Sequence, residues 1–131
     1  MSGYVINPTT GLLTAMTGSP FAAGMQPVNV TVGPSGRFVY VTNSGDNTLS
    51  GYTIDPTSGV LTPSFTSSLA ATNGFGGGCT VPGPLTVDPR GLMLYVSCPA
   101  SNNTFVTPIN TSTGGVGHVA QHGVRLCLWG H

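Results

Sequence analysis

His118, His122, Cys127 and His131 are the residues whose types could hold a metal ion or move a proton. Imidazole nitrogen and thiolate sulfur are preferred zinc ligands, and a histidine can serve as a base near neutral pH. They form the series H-x3-H-x4-C-x3-H, which matches no strong zinc spacing, so strand-edge histidines or an unstructured tail are the expectation over a metal site. His118 and His122 are also the candidates for a catalytic base, because nucleophilic catalysis needs a base and an orienting group beside the nucleophile. Serine and threonine are too plentiful to single out a nucleophile. Asp46, Asp55 and Asp88 are the only carboxylates. Each stands in a turn, where a carboxylate ordinarily accepts from nearby backbone N–H groups.

The remaining chemistry is that of Cys79 and Cys98. A hairpin centred on Pro89-Arg90 brings the two within about a residue of facing each other. That register predicts a disulfide, and with it an oxidising, periplasmic or secreted location. The alternative is two free thiols, one in a loop and one at a strand end. Asn73-Gly74-Phe75-Gly76-Gly77-Gly78-Cys79 is glycine-rich but lacks the Gly-Lys-Ser/Thr ending and following helix of a phosphate loop. It reads as a loop between units.

Charge is scarce. Only 5% of residues are charged, against about 25% in ordinary globular chains. Lysine and glutamate are absent, and three arginines balance three aspartates for a net charge of zero. A basic nucleic-acid footprint is therefore excluded. No apolar run approaches the ~20 residues that a membrane-spanning helix needs. The 39% hydrophobic share can supply a core, while 20 glycines and 11 prolines predict many turns. Nothing in the composition calls for a cofactor.

The elements that must position these residues read as strands. Gly or Pro interrupts every window that could become an amphipathic helix. Phe38-Val39-Tyr40-Val41-Thr42 and Leu92-Met93-Leu94-Tyr95-Val96 are apolar at consecutive positions, which predicts strands covered on both faces. Gly33-Pro34-Ser35-Gly36 and Asp88-Pro89-Arg90-Gly91 have the residues of type I turns, with Arg37 and Arg90 either solvated or packed across a sheet edge. Asn7-Pro8-Thr9-Thr10-Gly11, Asp55-Pro56-Thr57-Ser58-Gly59 and Asn110-Thr111-Ser112-Thr113-Gly114 make a second kind of hairpin turn.

These phrases recur. Ser2 to Thr14 returns as Ser50 to Thr62, 48 residues on, and Pro27 to Asn47 returns as Pro82 to Asn102, 55 residues on. A period near fifty predicts a repeat architecture. One unit has four antiparallel strands, about Val28–Val32, Phe38–Asn43, Leu49–Ile54 and Val60–Ser67, which describes a β-propeller blade. The expected fold is all-β, an incomplete propeller of about two and a half blades. Residues 1–20 form a half unit, 27–68 and 82–119 full units, and 120–131 an atypical tail.

Tyr40-Val41-Thr42-Asn43, with the turn before it and the Ile54-to-Leu61 hairpin after it, resembles the YVTN β-propeller repeat. That family overlaps with lactonases of the 6-phosphogluconolactonase type, usually seven-bladed. The resemblance implies a propeller and, for lactonase-like members, a histidine facing the channel just before the innermost strand. The matching stretches here, Met25-Gln26-Pro27-Val28-Asn29 and Val81-Pro82-Gly83-Pro84-Leu85, hold none. The expectation is a binding or scaffold unit without a complete active site, accepting a small or carbohydrate-derived ligand. Open sheet faces predict self-association, with a dimer favoured. Hydrolysis of sugar lactones by the assembled protein is the alternative.

Overall fold

The structure, a computed structural model, describes residues 1–69 and 79–116. Among these described residues, nine strands form three antiparallel sheets. Strands β1 (Tyr4–Ile6) and β2 (Leu13–Ala15) pair alone. Strands β3 (Pro27–Val32), β4 (Phe38–Asn43), β5 (Thr48–Ile54) and β6 (Leu61–Ser68) make a four-stranded meander in chain order. Strands β7 (Leu85–Val87), β8 (Met93–Cys98) and β9 (Asn103–Pro108) make the third sheet, beyond which Ile109 bridges to Val116. This is the blade pattern of a propeller, with β3 and β7 as neighbouring innermost strands.

The turns form for the reasons their residues suggest. Gly36 N–H donates to the Gly33 carbonyl and Gly91 N–H to Asp88, each at 2.9 Å. Both glycines have positive φ, 73° and 74°, a conformation that a side chain would strain. In the second kind of turn the Asn7, Asp55 and Asn110 side chains each accept from the backbone two and three residues on. The repeat reaches into the backbone as well. Gln26 and Val81 share a left-handed φ of 53° and 51°, and Asn47 and Asn102 one of 56° and 58°.

Strand β4 is buried along its whole length, as consecutive apolar residues require. One of its faces, with Phe38 and Tyr40, joins Leu49, Leu94, Val96 and Ile109 in the main core between the second and third sheets. The Tyr40 hydroxyl crosses the gap to the Gly114 carbonyl at 2.8 Å, and Thr42 Oγ1 donates to the Gly83 carbonyl at 2.9 Å. Gly51 makes room within the second sheet: the ring of its cross-strand partner Phe65 lies where a Cβ would sit and packs against this core. The other face of β4 carries Val39 and Val41, which pack with Tyr52, Met1, Ile54 and Leu61 beside the two-stranded sheet.

Two expectations differ from the structure. Strand β8 is not covered on both faces. Leu94, Val96 and Cys98 are buried, while Tyr95 and Ser97 between them are exposed, because no further sheet lies against that side among the described residues. The hairpin register also differs. Leu85 faces Val96 and Val87 faces Leu94, so Cys79 lies some four residues short of facing Cys98. The left-handed turn at Val81 folds the chain back, and the two Sγ atoms meet at 1.98 Å with Cα atoms 5.2 Å apart. No helix among the described residues is long and apolar enough to cross a membrane.

Candidate functional site

The innermost strands of propeller blades line the central channel, so the approach to β3 and β7 is where a channel site would be built. The backbone there is unusual. Gln26 and Val81 hold positive φ at equivalent places in the two repeats, although a β-branched residue such as Val81 strongly disfavours it. The surroundings hold both in place. The Gln26 carbonyl accepts from Ser44 N–H at 2.9 Å, and Val81 N–H donates to Asn47 Oδ1 at 2.8 Å. Strain retained in this way is frequent at ligand sites.

Next to Gln26 lies a polar cluster built on the end of β4. Asn43 is fully buried. Its Nδ2 donates to Thr48 Oγ1 and to Ser50 Oγ, both at 3.0 Å. Thr48 in turn donates to Asp46 Oδ1 at 2.7 Å, and Asp46 Oδ2 accepts from Met25 N–H at 3.2 Å. Asn43 Oδ1 has no partner, a buried acceptor with capacity for one more donor. The Thr48 hydroxyl and the Met25 N–H hold the Asp46 carboxyl below its usual range. A carboxylate so stabilised is a poor proton acceptor. At this end the chain presents amides, hydroxyls and one tamed carboxylate, a set suited to binding polar groups.

Of the residues singled out from sequence, the structure joins Cys79 to Cys98, within the main core. His118, His122, Cys127 and His131 lie outside the described residues, as do positions 70–78 of the inter-unit loop. No group of three or more metal-ligating side chains occurs among the described residues. Asp55 and Asp88 are structural. Asp88 Oδ1 accepts from Leu92 and Met93 N–H, and its Oδ2 meets Arg90 Nε at 3.2 Å. The Met93 bond first, with Leu92 and Arg90, lowers its pKa. Sequence reasoning missed the Asn43 cluster, although the recurring Tyr-Val-x-x motif, ending in Asn43 in one unit and Cys98 in the other, marked its place.

A model of the lactonase, seven-bladed β-propeller family matches residues 4–125. The chain belongs to that family. The lactonase family's propeller is also what solved structures show. The periplasmic gluconolactonase of Pseudomonas aeruginosa matches with a TM-score of 0.70 at 22% identity, over 88% of this chain and 31% of its own. A candidate 6-phosphogluconolactonase of Bacteroides fragilis matches with a TM-score of 0.68 at 18% identity, over 87% and 30%. A protein of unknown function from Desulfotomaculum acetoxidans matches with a TM-score of 0.67 at 24% identity, over 87% and 32%. The chain thus spans about a third of the length of these lactonase-like structures. No curated protein matches it.

Proposed function

We propose that this chain is a binding or scaffold unit of a lactonase-like propeller that associates with a second copy of itself. The observation that carries this reading is the inner strand β3. Val28, Val30 and Val32 are 49%, 57% and 54% exposed; Val30 and Val32 share a face with the buried Val41 and Val39 that they face in register. Three valines in a row on a strand are an apolar stripe that water leaves uncompensated. The equivalent Leu85 and Val87 of β7 are half-buried against the main core. A second copy laid on this stripe would bury it and extend the ring of blades towards closure.

The ligand side of the proposal rests on the polar cluster around Asn43 and the retained strain at Gln26 and Val81. A small polar or carbohydrate-derived molecule would meet the exposed rim of that cluster, Gln26 and Asp46, while the buried Asn43 holds Thr48 and Ser50 in place behind it. The Cys79–Cys98 pair supports a periplasmic or secreted setting. The second reading is lactone hydrolysis by the assembled protein, favoured by membership of the lactonase family, with His118 or His122 as base.

Turnover of glucono-1,5-lactone, followed by acid release at constant pH, separates the two. A scaffold unit gives the uncatalysed rate. Turnover above it that is lost in His118→Ala or His122→Ala would establish the hydrolase instead.

A further inference from the structure

A second candidate site lies at the opposite end of the strands from the channel approach. The β3–β4 turn, the β7–β8 turn and the Asn110–Gly114 turn enclose a groove of about 530 Å³ between the second and third sheets. That size suits a small molecule. Its floor includes Phe38, Val87 and Ile109, and its rim carries Arg37 and Arg90. The whole chain has three arginines and no lysine, so two of its three cationic side chains border one groove. We propose that this groove binds a small organic anion, a carboxylate or phosphate ester borne on a flat or apolar body.

Arg37 is held but not satisfied. Its guanidinium sits 5.0 Å from the centre of the Phe38 ring, a cation–π contact that fixes its place. Its two terminal nitrogens reach the Thr111 and Ser112 carbonyls at 3.5 Å each. These are long for hydrogen bonds, and an anionic oxygen would be the stronger acceptor. Arg90 spends only Nε, on Asp88, and its side chain is 75% exposed. Its terminal nitrogens have no acceptor among the described residues. The Asp88 carboxylate is already engaged by two backbone N–H groups and Arg90. It therefore offsets one positive charge and leaves the rim with one in excess.

The apolar floor explains why the ligand should have a body as well as a charge. Arg37 paired with an anion above Phe38 would be partly shielded from water, which strengthens the contact. A ring or alkyl portion of the same molecule would cover Val87 and Ile109. An inorganic anion gains only the first of these.

The test is titration of the full-length, ¹⁵N-labelled chain with phenyl phosphate, benzoate, inorganic phosphate and benzyl alcohol, followed by amide chemical shifts. Saturable shifts grouped at Gly36, Phe38, Gly91 and Ser112 are expected with phenyl phosphate or benzoate, and the stronger of the two identifies the preferred anion. Inorganic phosphate and benzyl alcohol should bind at least about tenfold more weakly, each lacking one part of the contact. Arg37→Gln should weaken binding by about tenfold or more, as loss of a charge-assisted pair does. Arg90→Gln, at an exposed side chain, should weaken it measurably and asks the same question if the Arg37 variant folds poorly. Absence of saturable shifts with both aromatic anions, equal binding of benzyl alcohol, or unchanged affinity in both arginine variants would overturn the proposal.

Discussion

The two faces of the four-stranded sheet have the same kind of sequence and different fates. On the side of β7–β9, Phe38, Tyr40 and Leu49 meet a full set of inner strands and form the main core. On the other side, among the described residues, the buried cluster is Val39, Val41 and Tyr52 with the partly buried Met1, Ile54 and Leu61, and the β3 valines stay open. The β1–β2 pair stands where the third and fourth strands of a blade would be. All six of its strand residues are exposed, so it gives β3 no cover. A blade face is closed by its neighbour's inner strands, and those strands decide whether the channel-side wall is dry.

Removing core volume on the covered face should have the largest effect. Leu94 is fully buried between the sheets, so Leu94→Ala should cost about 2–5 kcal/mol. Val30→Ala, on the open face, should cost well under about 1 kcal/mol in the dissociated chain. Urea unfolding of both variants at low concentration makes the comparison. Equal losses would mean that the open face is already packed.

The covered side is also cross-linked. Cys79 and Cys98 are buried within that core, 19 residues apart in the chain. Replacing both with serine should lower stability by about 3 kcal/mol, the entropy of the loop they close. Thiol titration of the unfolded protein without reductant should find one reactive thiol, Cys127. Three would show that the pair is reduced.

Each face has one buried tyrosine, and burial makes both resist base. Burial pushes the Tyr40 hydroxyl up to about 12. Tyr52, which donates to the Ala22 carbonyl, is raised as well, also by burial. A raised folded-state pKa leaves stability intact below the unfolded value near 10 and erodes it as pH climbs towards the folded value. Stability should therefore fall between about pH 10 and 12. Tyr40→Phe should flatten that fall and cost about 1 kcal/mol at neutral pH for the donor lost to Gly114. At the acid end the sign reverses. Asp46, Asp55 and Asp88 are all lowered by hydrogen bonds, so their stabilisation is present above about pH 4 and lost as pH falls through their folded values.

Local signals in the sequence carried much of the fold. Strand β4 coincides with its apolar run and β8 overlaps its own, and the Asn/Asp-x-x-x-Gly turns form through their side-chain bonds, because each depends on residues close in the chain. The route from Cys79 to Cys98 was less legible. It turns on a left-handed valine, which local preference opposes and tertiary hydrogen bonds, that to Asn47 among them, sustain. The open side of β8 was missed for a related reason. A run of apolar residues states a preference for burial, but only a neighbouring sheet can provide it. The polar cluster at Asn43 depends on groups from β4, β5 and the preceding linker, and its unpartnered oxygen has no sequence signature.

The central claim is that the bare valine stripe of β3 is an interface between copies. Size-exclusion chromatography with light scattering, on the chain and on Val30→Asp, tests it most directly. The account predicts a dimer for the chain that dissociates to monomer in the variant while the circular dichroism of both stays the same. A monodisperse monomer for the unaltered chain at the same concentration would contradict it.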